Sequence, residues 1–371
     1  MWIWQHKDWP NFYWDEKAVS TQLASARLTQ GKLLGIIQTI NQQTVGQMDA
    51  IILTEQAIDT SAIEGEILDR DSVRSSIANR LGVKQAGVSS APDRYVEGLL
   101  DMLLDATENY QKPLTLERLF AWHAALFPTG YSGIQKIAVA SLRKSGPMQI
   151  ISGRPGKAKV HYEAPPQKSL KKEMKAFLDR LNSKSNMDGL LRAGMAHLWF
   201  ELVHPFDDGN GRIGRAIIDL ALAQDEQQAT RYYSLSSAIM QDRKNYYANF
   251  EKICRGDMDI TTWLVWFLTC IESAIYNAIS IVDGINLKSR FWEKHATTIL
   301  NDRQTKILNR LLDAGKDKFI GGMTTRKYCQ LTKISRATAY RELSDLVQKK
   351  CLKPITEKGR SAAYEINWPR K

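Results

Sequence analysis

A chain of 371 residues, 43% hydrophobic and 25% charged, has the composition of folded globular domains, and its length allows two or three of them. No uninterrupted apolar run reaches the ~18 residues of a membrane span: Trp263 to Ile271 ends at Glu272, the aromatic N-terminus MWIWQHKDWPNFYW is broken by charge and Pro10 and is no signal peptide, and Cys254, Cys270, Cys329 and Cys351 have neither metal nor disulfide spacing, so a cytoplasmic location without a membrane partner is the expectation. The net charge of +11 sits at one end: Lys288 to Lys371 holds 20 Lys+Arg against 8 Asp+Glu, the remainder 31 against 32, which argues for a separate basic module with an anionic partner.

In chain order, the sequence reads mainly as helix. From Gln43, Val45, Met48 and Ile52 recur at helical spacing, with a stop near Asp59-Thr60. Ser61-Ala-Ile-Glu64 fits a capping box and predicts a fresh helix start. Gly82 to Pro92 reads as a loop, and Leu114 to Leu126 as helix. The least helical part, about Gly130 to Pro166, is rich in Gly and Pro. Its apolar pieces Gln149 to Ile151 and Lys159 to Tyr162 flank SGRPGKA and predict a β-hairpin, whose edge could dock a peptide by strand addition or be a plain surface loop. Helices resume from Ser169 to about Val282, with a boundary at Asp283 to Leu287. The last part predicts a helix (Asp302 to Leu312), a loop (Ala314 to Gly322), helices at Thr324 to Leu331 and Ser335 to Lys349, then two extended pieces around Glu357 to Arg360.

The densest chemistry lies in HPFDDGNGRIGR, His204 to Arg215. The helix Leu190 to Val203 runs into Pro205 and must break. A loop Asp207 to Gly211 follows, and a second helix begins near Arg212. His204 can accept a proton, Asp207 or Asp208 can hold a hard cation, and Gly209-Asn210-Gly211 can bring N–H groups to an anion at a helix N-terminus. Arg212 and Arg215, three apart, share a face and can take phosphate oxygens in a fork. Three other readings stand beside a triphosphate site. Gly209-x-Gly211-x-x-Gly214 matches the dinucleotide fingerprint, but that motif follows a strand and this one follows HLWFELVHPF. His197 and His204 could share a zinc ion, but seven helical residues separate them by about 10.5 Å along the axis. The stretch could also be an ordinary polar connection.

The same twelve residues resemble the signature of Fic-domain proteins, H-P-F-x-D/E-G-N-G-R-x-x-R, at every fixed position. His197 before LVHPF, the hairpin followed by His161 to Pro166 (the family's "flap"), and Tyr246-Tyr247 in RKNYYANFEK extend the likeness. The resemblance implies a mainly α fold, a helical Fic core with a β-hairpin flap, in a chain divided as 1–110, 111–283 and 284–371. It implies a protein adenylyltransferase that moves AMP from ATP to a Tyr, Thr or Ser hydroxyl of a target protein docked on the flap, around Gln149 to Gly153. By resemblance His204 is the general base, Asp208 holds Mg²⁺, Gly209 to Gly211 cradle phosphate with Asn210 orienting the α-phosphate, Gly214 belongs to the nucleotide-binding set, Arg212 takes the β side and Arg215 the γ-phosphate. Phe206 anchors the loop, and Tyr246 and Tyr247 lie on the adenine side. Where the family often has an amide, seven residues after the tyrosine pair, this chain has Cys254.

Thr60-Ser-Ala-Ile-Glu64-Gly65 resembles the family's inhibitory motif, which implies a helix whose Glu64 pairs with Arg215 against the γ-phosphate. Self-modification and a homodimer are further implications. Removal of AMP, with Glu64 positioning water, and transfer of another phosphate-linked group are alternatives. Thr324 to Cys351 resembles a helix-turn-helix, with Arg336, Thr338, Tyr340 and Arg341 on its second helix and Lys358, Gly359 and Arg360 at the tip of a wing. This winged helix could bind DNA or protein, so a DNA-binding regulator with a nucleotide-sensing Fic core is the competing reading.

Overall fold

Asp15 opens the first long helix, α1 (Glu16–Thr39): its carboxylate accepts from the N–H groups of Lys17 and Ala18, two of the donors a helix start leaves unpaired. Asn41 caps α2 (Gln42–Ile63) in the same way, and Asp69 caps α3 (Arg70–Leu81). The α4 helix (Arg94–Glu108) buries Val96, Leu99, Leu100, Leu103 and Ala106 at helical spacing, and α5 (Leu116–Leu126) starts on Thr115. The computed structural model describes residues 1–82, 93–144, 146–152, 159–315, 319–355 and 362–368. Most of the expected 82–92 loop, the hairpin turn 153–158 and the wing tip at Lys358 to Arg360 therefore lie outside the described residues.

Two short hairpins follow. The strands β1 (Tyr131–Ser132) and β2 (Gln135–Lys136) pair antiparallel. So do β3 (Gln149–Ser152) and β4 (Lys159–Glu163), with Gln149 opposite Glu163 and a register shift between Ile150 and Ile151. This is the hairpin that the Gly/Pro-rich stretch predicts. The chain then returns to helix: α6 (Leu170–Asn182), α7 (Gly189–Val203), α8 (Asn210–Glu226), α9 (Leu235–Gln241), α10 (Arg243–Cys254) and α11 (Thr261–Lys294). Almost every side chain of α7 from Leu190 onward is buried, as expected of a helix apolar all round. It packs against α8 at the centre of a core that includes Leu99, Leu119, Phe177, Phe200, Ile213, Ile217 and Leu220.

Four local expectations are corrected. The predicted stop at Asp59-Thr60 does not occur: α2 runs on to Ile63, because Thr60, Ser61 and Ile63 continue its buried face. Ser61 therefore opens no helix, and Glu64 is a C-cap rather than the third residue of a new one. The helix expected to end near Val282 also runs on: α11 is continuous through Asp283 to Leu287, with Val282, Ile285 and Phe291 buried. This helix is also long and apolar enough to cross a membrane, with a mean hydropathy of 1.5 over its best stretch despite Glu272, and half of that stretch is buried in protein. The second half of the Fic-like loop is shorter than expected, since α8 begins at Asn210.

The described residues form two compact units, Met1–Ala278 and Ile279–Lys371. The second contains α12 (Asp302–Ala314), β5 (Met323–Thr324), α13 (Thr325–Thr332), α14 (Arg336–Gln348), β6 (Leu352–Pro354) and β7 (Ala363–Ile366), with strand order β5-β7-β6. Its core is Phe291, Ile307, Leu311, Tyr328, Leu343, Leu346 and Ile366. Ser335 caps α14, accepting from the Thr338 N–H.

Candidate active site

Pro205 cannot donate to the helix ladder, so α7 ends at Val203 and His204 becomes its C-cap. His204 takes a left-handed backbone (φ 47°), uncommon for a residue with a side chain, and its N–H donates to the Phe200 carbonyl at 2.9 Å. A residue without any sequence signal holds it there. Arg143 is 1% exposed; its Nε donates to the His204 carbonyl at 2.8 Å, its backbone N–H to the Pro205 carbonyl at 2.9 Å, and its guanidinium also to the Pro165 carbonyl. The His204 ring has Nδ1 3.3 Å from the Glu201 carbonyl. That contact assigns the proton to Nδ1 and leaves a bare lone pair on Nε2. Burial lowers the imidazole to about 4, aided by Arg143 and opposed by its bond to Glu201, so the ring is neutral at pH 7.

The loop after His204 is anchored by Phe206, which is fully buried and stacks on His123 with centroids 4.4 Å apart. Its burial contributes roughly 1.5–3 kcal/mol. The side chain of Asn210 closes the loop: Oδ1 accepts from the Phe206 N–H at 3.0 Å and Nδ2 donates to the Phe206 carbonyl at 2.9 Å. Asn210 therefore ties the loop through its amide, while its backbone N–H lies in the open first turn of α8. His123, absent from the sequence reading, accepts at Nδ1 from the Ala140 N–H (3.1 Å) and meets the Asp208 carbonyl with Nε2 (3.1 Å). Asp207 accepts from the Ala138 N–H at 3.0 Å. Asp208 accepts from Ser132 and from its neighbour's N–H, yet its side chain stays 40% exposed.

Gly209 enters α8 with φ 81°, and a Cβ there would meet the Phe127 ring at 2.8 Å, so glycine alone fits both the backbone and the space. It supplies no capping side chain, which leaves the first-turn N–H groups of α8 for an anion. Arg215, one turn in, is 1% exposed. Its Nε donates to Thr60 Oγ1 at 2.7 Å, and Nη2 to the Thr60 carbonyl at 2.8 Å and to Glu64 Oε1 at 2.7 Å. Nη1 has no partner among the described residues and points to the space beside Gly211. Burial works against the guanidinium charge, but Glu64 more than restores it, and Arg215 stays firmly protonated. Arg212 meets Glu66, not foreseen from the sequence, at 2.7 Å and lies over the Phe127 ring. Each arginine thus faces a carboxylate from the segment where α2 ends.

The tyrosine pair divides. Tyr246 is 4% exposed, and its hydroxyl meets His197 Nε2 at 3.2 Å, among the rings of Trp263 and Trp266. Tyr247 is 40% exposed and donates to the Ile63 carbonyl at 3.3 Å. Cys254 is fully buried, and burial raises its thiol well above the usual range.

An imidazole on a helix C-cap, a tight glycine turn and a helix N-terminus carrying buried arginines make a site that can receive an anion. Residues 113–222 match the Fic/DOC family model, so the chain carries a Fic domain and is a Fic-domain protein. Residues 2–83 match a family described only as a domain of unknown function (DUF4172). A uridine 5'-monophosphate transferase from Xanthomonas campestris pv. campestris is 33% identical over 118 residues, 30% of this chain and 21% of that protein. Protein adenylyltransferase fic-1 of Caenorhabditis elegans is 34% identical over 88 residues, 23% of this chain and 16% of its own. The chain thus spans well under half the length of these curated relatives. A crystal structure of a Fic family protein from Desulfovibrio desulfuricans G20 shares the fold, with a TM-score of 0.54 and 20% identity over 95% of this chain and 97% of that one.

Proposed function

We propose that the chain is a protein nucleotidyltransferase that moves AMP from ATP to a hydroxyl of a target protein and releases pyrophosphate. The observation that carries the reading is Arg215 Nη1, a buried donor without a partner among the described residues, at the open N-terminus of α8, together with a neutral His204 whose Nε2 carries no proton. His204 would take the hydroxyl proton; the first-turn N–H groups, Arg212 and Arg215 would hold the polyphosphate and its developing charge. Positioning and charge do the work, because phosphoryl chemistry asks little covalent help of the protein.

Magnesium fits the same donor set. Asp208 is one exposed carboxylate, and no group of three or more His, Cys, Asp or Glu among the described residues could hold a metal unaided. One carboxylate plus substrate phosphates is how Mg²⁺ usually binds, and bound there it would neutralise charge between the phosphates. Glu64 and Glu66 would act as a brake, since each carboxylate competes with a phosphate oxygen for one guanidinium. The target segment would add to the β3–β4 hairpin as a further strand.

The test is incubation with ATP labelled at the α-phosphate, with UTP in parallel because one relative is named for UMP transfer. Label on protein from ATP, lost in His204→Ala, supports the reading; label from UTP alone moves it to uridylyl transfer; loss of AMP from a modified protein moves it to the reverse reaction. A lack of any transfer in the Glu64→Gly variant sinks it.

A second reading has its own support. The positive charge is concentrated from Lys288 onward, and α14 exposes Arg336, Tyr340 and Arg341 on the second helix of a helix-turn-helix. That face suits a major groove of DNA in the manner of a winged helix. Salt-dependent binding of a mixed-sequence duplex, without nucleotide transfer, would favour a DNA-binding regulator.

A further inference from the structure

Glu201 lies on α7 four residues after His197 and three before His204, so all three share one side of the helix. It is 5% exposed. Its Oε1 has no hydrogen-bond partner among the described residues, and its Oε2 stands 3.9 Å from His204 Nδ1. The room it occupies exists because residue 214 is glycine: a Cβ there would come within 2.5 Å of Oε1. Packing does not account for such a group, since a buried carboxyl with an idle oxygen costs stability.

We propose that Glu201 is the positioning residue of His204: its carboxyl, lodged beneath Nδ1, keeps the ring turned with Nε2 outward and stabilises the imidazolium formed when Nε2 takes the hydroxyl proton. This rests on the reading of His204 as the base. No proton passes to Glu201; Nδ1 keeps its own throughout. The groups facing the carboxyl are His197 and His204 from α7, Arg215 from α8, Glu64 from α2, and Tyr246 and Cys254 from α10. Burial pushes Glu201 up to about 8, the charge of Glu64 adds to this, and Arg215 opposes it. With Glu64 seated, Glu201 is a neutral acid under the base. When Glu64 leaves, a like charge is removed and Arg215 gains freedom to favour the ionised form. The brake would thus act twice, on the phosphate site and on the strength of the base.

The experiment uses the full chain. In ¹⁵N-histidine spectra, assigned with His204→Ala, the His204 nitrogens of the otherwise unaltered protein are expected to shift through a transition near pH 8 that is absent in Glu201→Gln; a flat response in the unaltered protein overturns the proposal. In the Glu64→Gly background, the transfer rate is expected to rise through an ionisation between about pH 5 and pH 8. Adding Glu201→Gln flattens that rise and lowers kcat about tenfold with KM for nucleotide unchanged. A rise that persists in the Gln variant overturns the proposal. If no nucleotide is transferred by any variant, the transferase reading fails, and the spectra still decide the place of Glu201.

Discussion

Glu64 and Arg215 meet at 2.7 Å with unequal freedom: the guanidinium is 1% exposed and tied to Thr60 twice, while the carboxylate is 31% exposed on the C-cap of α2. The arginine is the fixed partner and the glutamate the movable one. In the proposed reaction a phosphate would find Arg215 already in place and would have only to displace Glu64. Glu64→Gly is therefore expected to raise nucleotide transfer, on the order of tenfold or more, as for coupling of 1–3 kcal/mol between sites. Incorporation of label from ATP by variant and unaltered protein at equal concentration checks this, and equal rates would dismiss the brake.

The neighbouring pair predicts a smaller effect. Glu66 meets Arg212 at the same distance, 2.7 Å, but its side chain is 46% exposed, so water and salt screen the contact. Glu66→Gln alone is expected to raise transfer only about two- to threefold, and less at high salt. Combined with Glu64→Gly, it should lower KM for ATP further without changing kcat. A Glu66 effect equal to that of Glu64 would contradict the ranking by burial.

Much of this site is legible in the sequence because its residues are consecutive. His204 to Arg215 lie along one helix end, one turn and one helix start, and local rules place all of them. The motif at Thr60 to Glu64 also meets Arg215 as the resemblance implies, although through the end of α2 rather than a new helix. The capping-box spacing misleads because the same residues continue a buried helical face, and tertiary burial overrides local propensity. Arg143, His123, Glu66 and Ser132 carry no such signal. Each reaches the loop from a distant part of the chain through a backbone carbonyl, a ring face or a single carboxylate, and spacing cannot disclose such contacts. Glu201 stands three residues before His204, yet its meaning depends on the gap opened by Gly214 across the helix pair.

Arg143 is the sharpest test of that hidden scaffold. It touches no nucleotide in the proposed reaction, but it holds the His204 and Pro205 carbonyls and so keeps His204 in its left-handed conformation. Arg143→Met keeps most of the volume and removes the donors. Transfer is expected to fall about 100-fold, the usual penalty for a base misplaced by ~1 Å, with stability lower by about 1–3 kcal/mol for the carbonyls left unpaired. Helical content by circular dichroism should be unchanged. Full activity in a folded variant would show that the loop holds itself.

The interface of α2 with α8 has a second rung, one turn beyond the first, and it makes stability depend on pH. Gln56 Nε2 donates to Asp219 Oδ2, and Asp219 is 2% exposed. Burial pushes the Asp219 carboxyl up to about 7, well above the usual carboxylate range, against the opposing pull of Arg231 and Gln56. A carboxyl raised on folding contributes stability that is fully present below its unfolded value and is lost as pH rises through its folded value. Asp219 therefore stabilises the fold below about pH 4 and ceases to between about pH 4 and pH 7. Asp219→Asn keeps an oxygen for Gln56 and removes the ionisation. Measured against the unaltered protein, its Tm is expected to gain from pH 5 to pH 8, because only the unaltered chain must bury a charge as the pH rises. Other buried groups titrate alike in both proteins and cancel in the difference. A Tm difference that stays constant over that range, or that shrinks, would mean Asp219 is ionised in the fold and held by Arg231 instead.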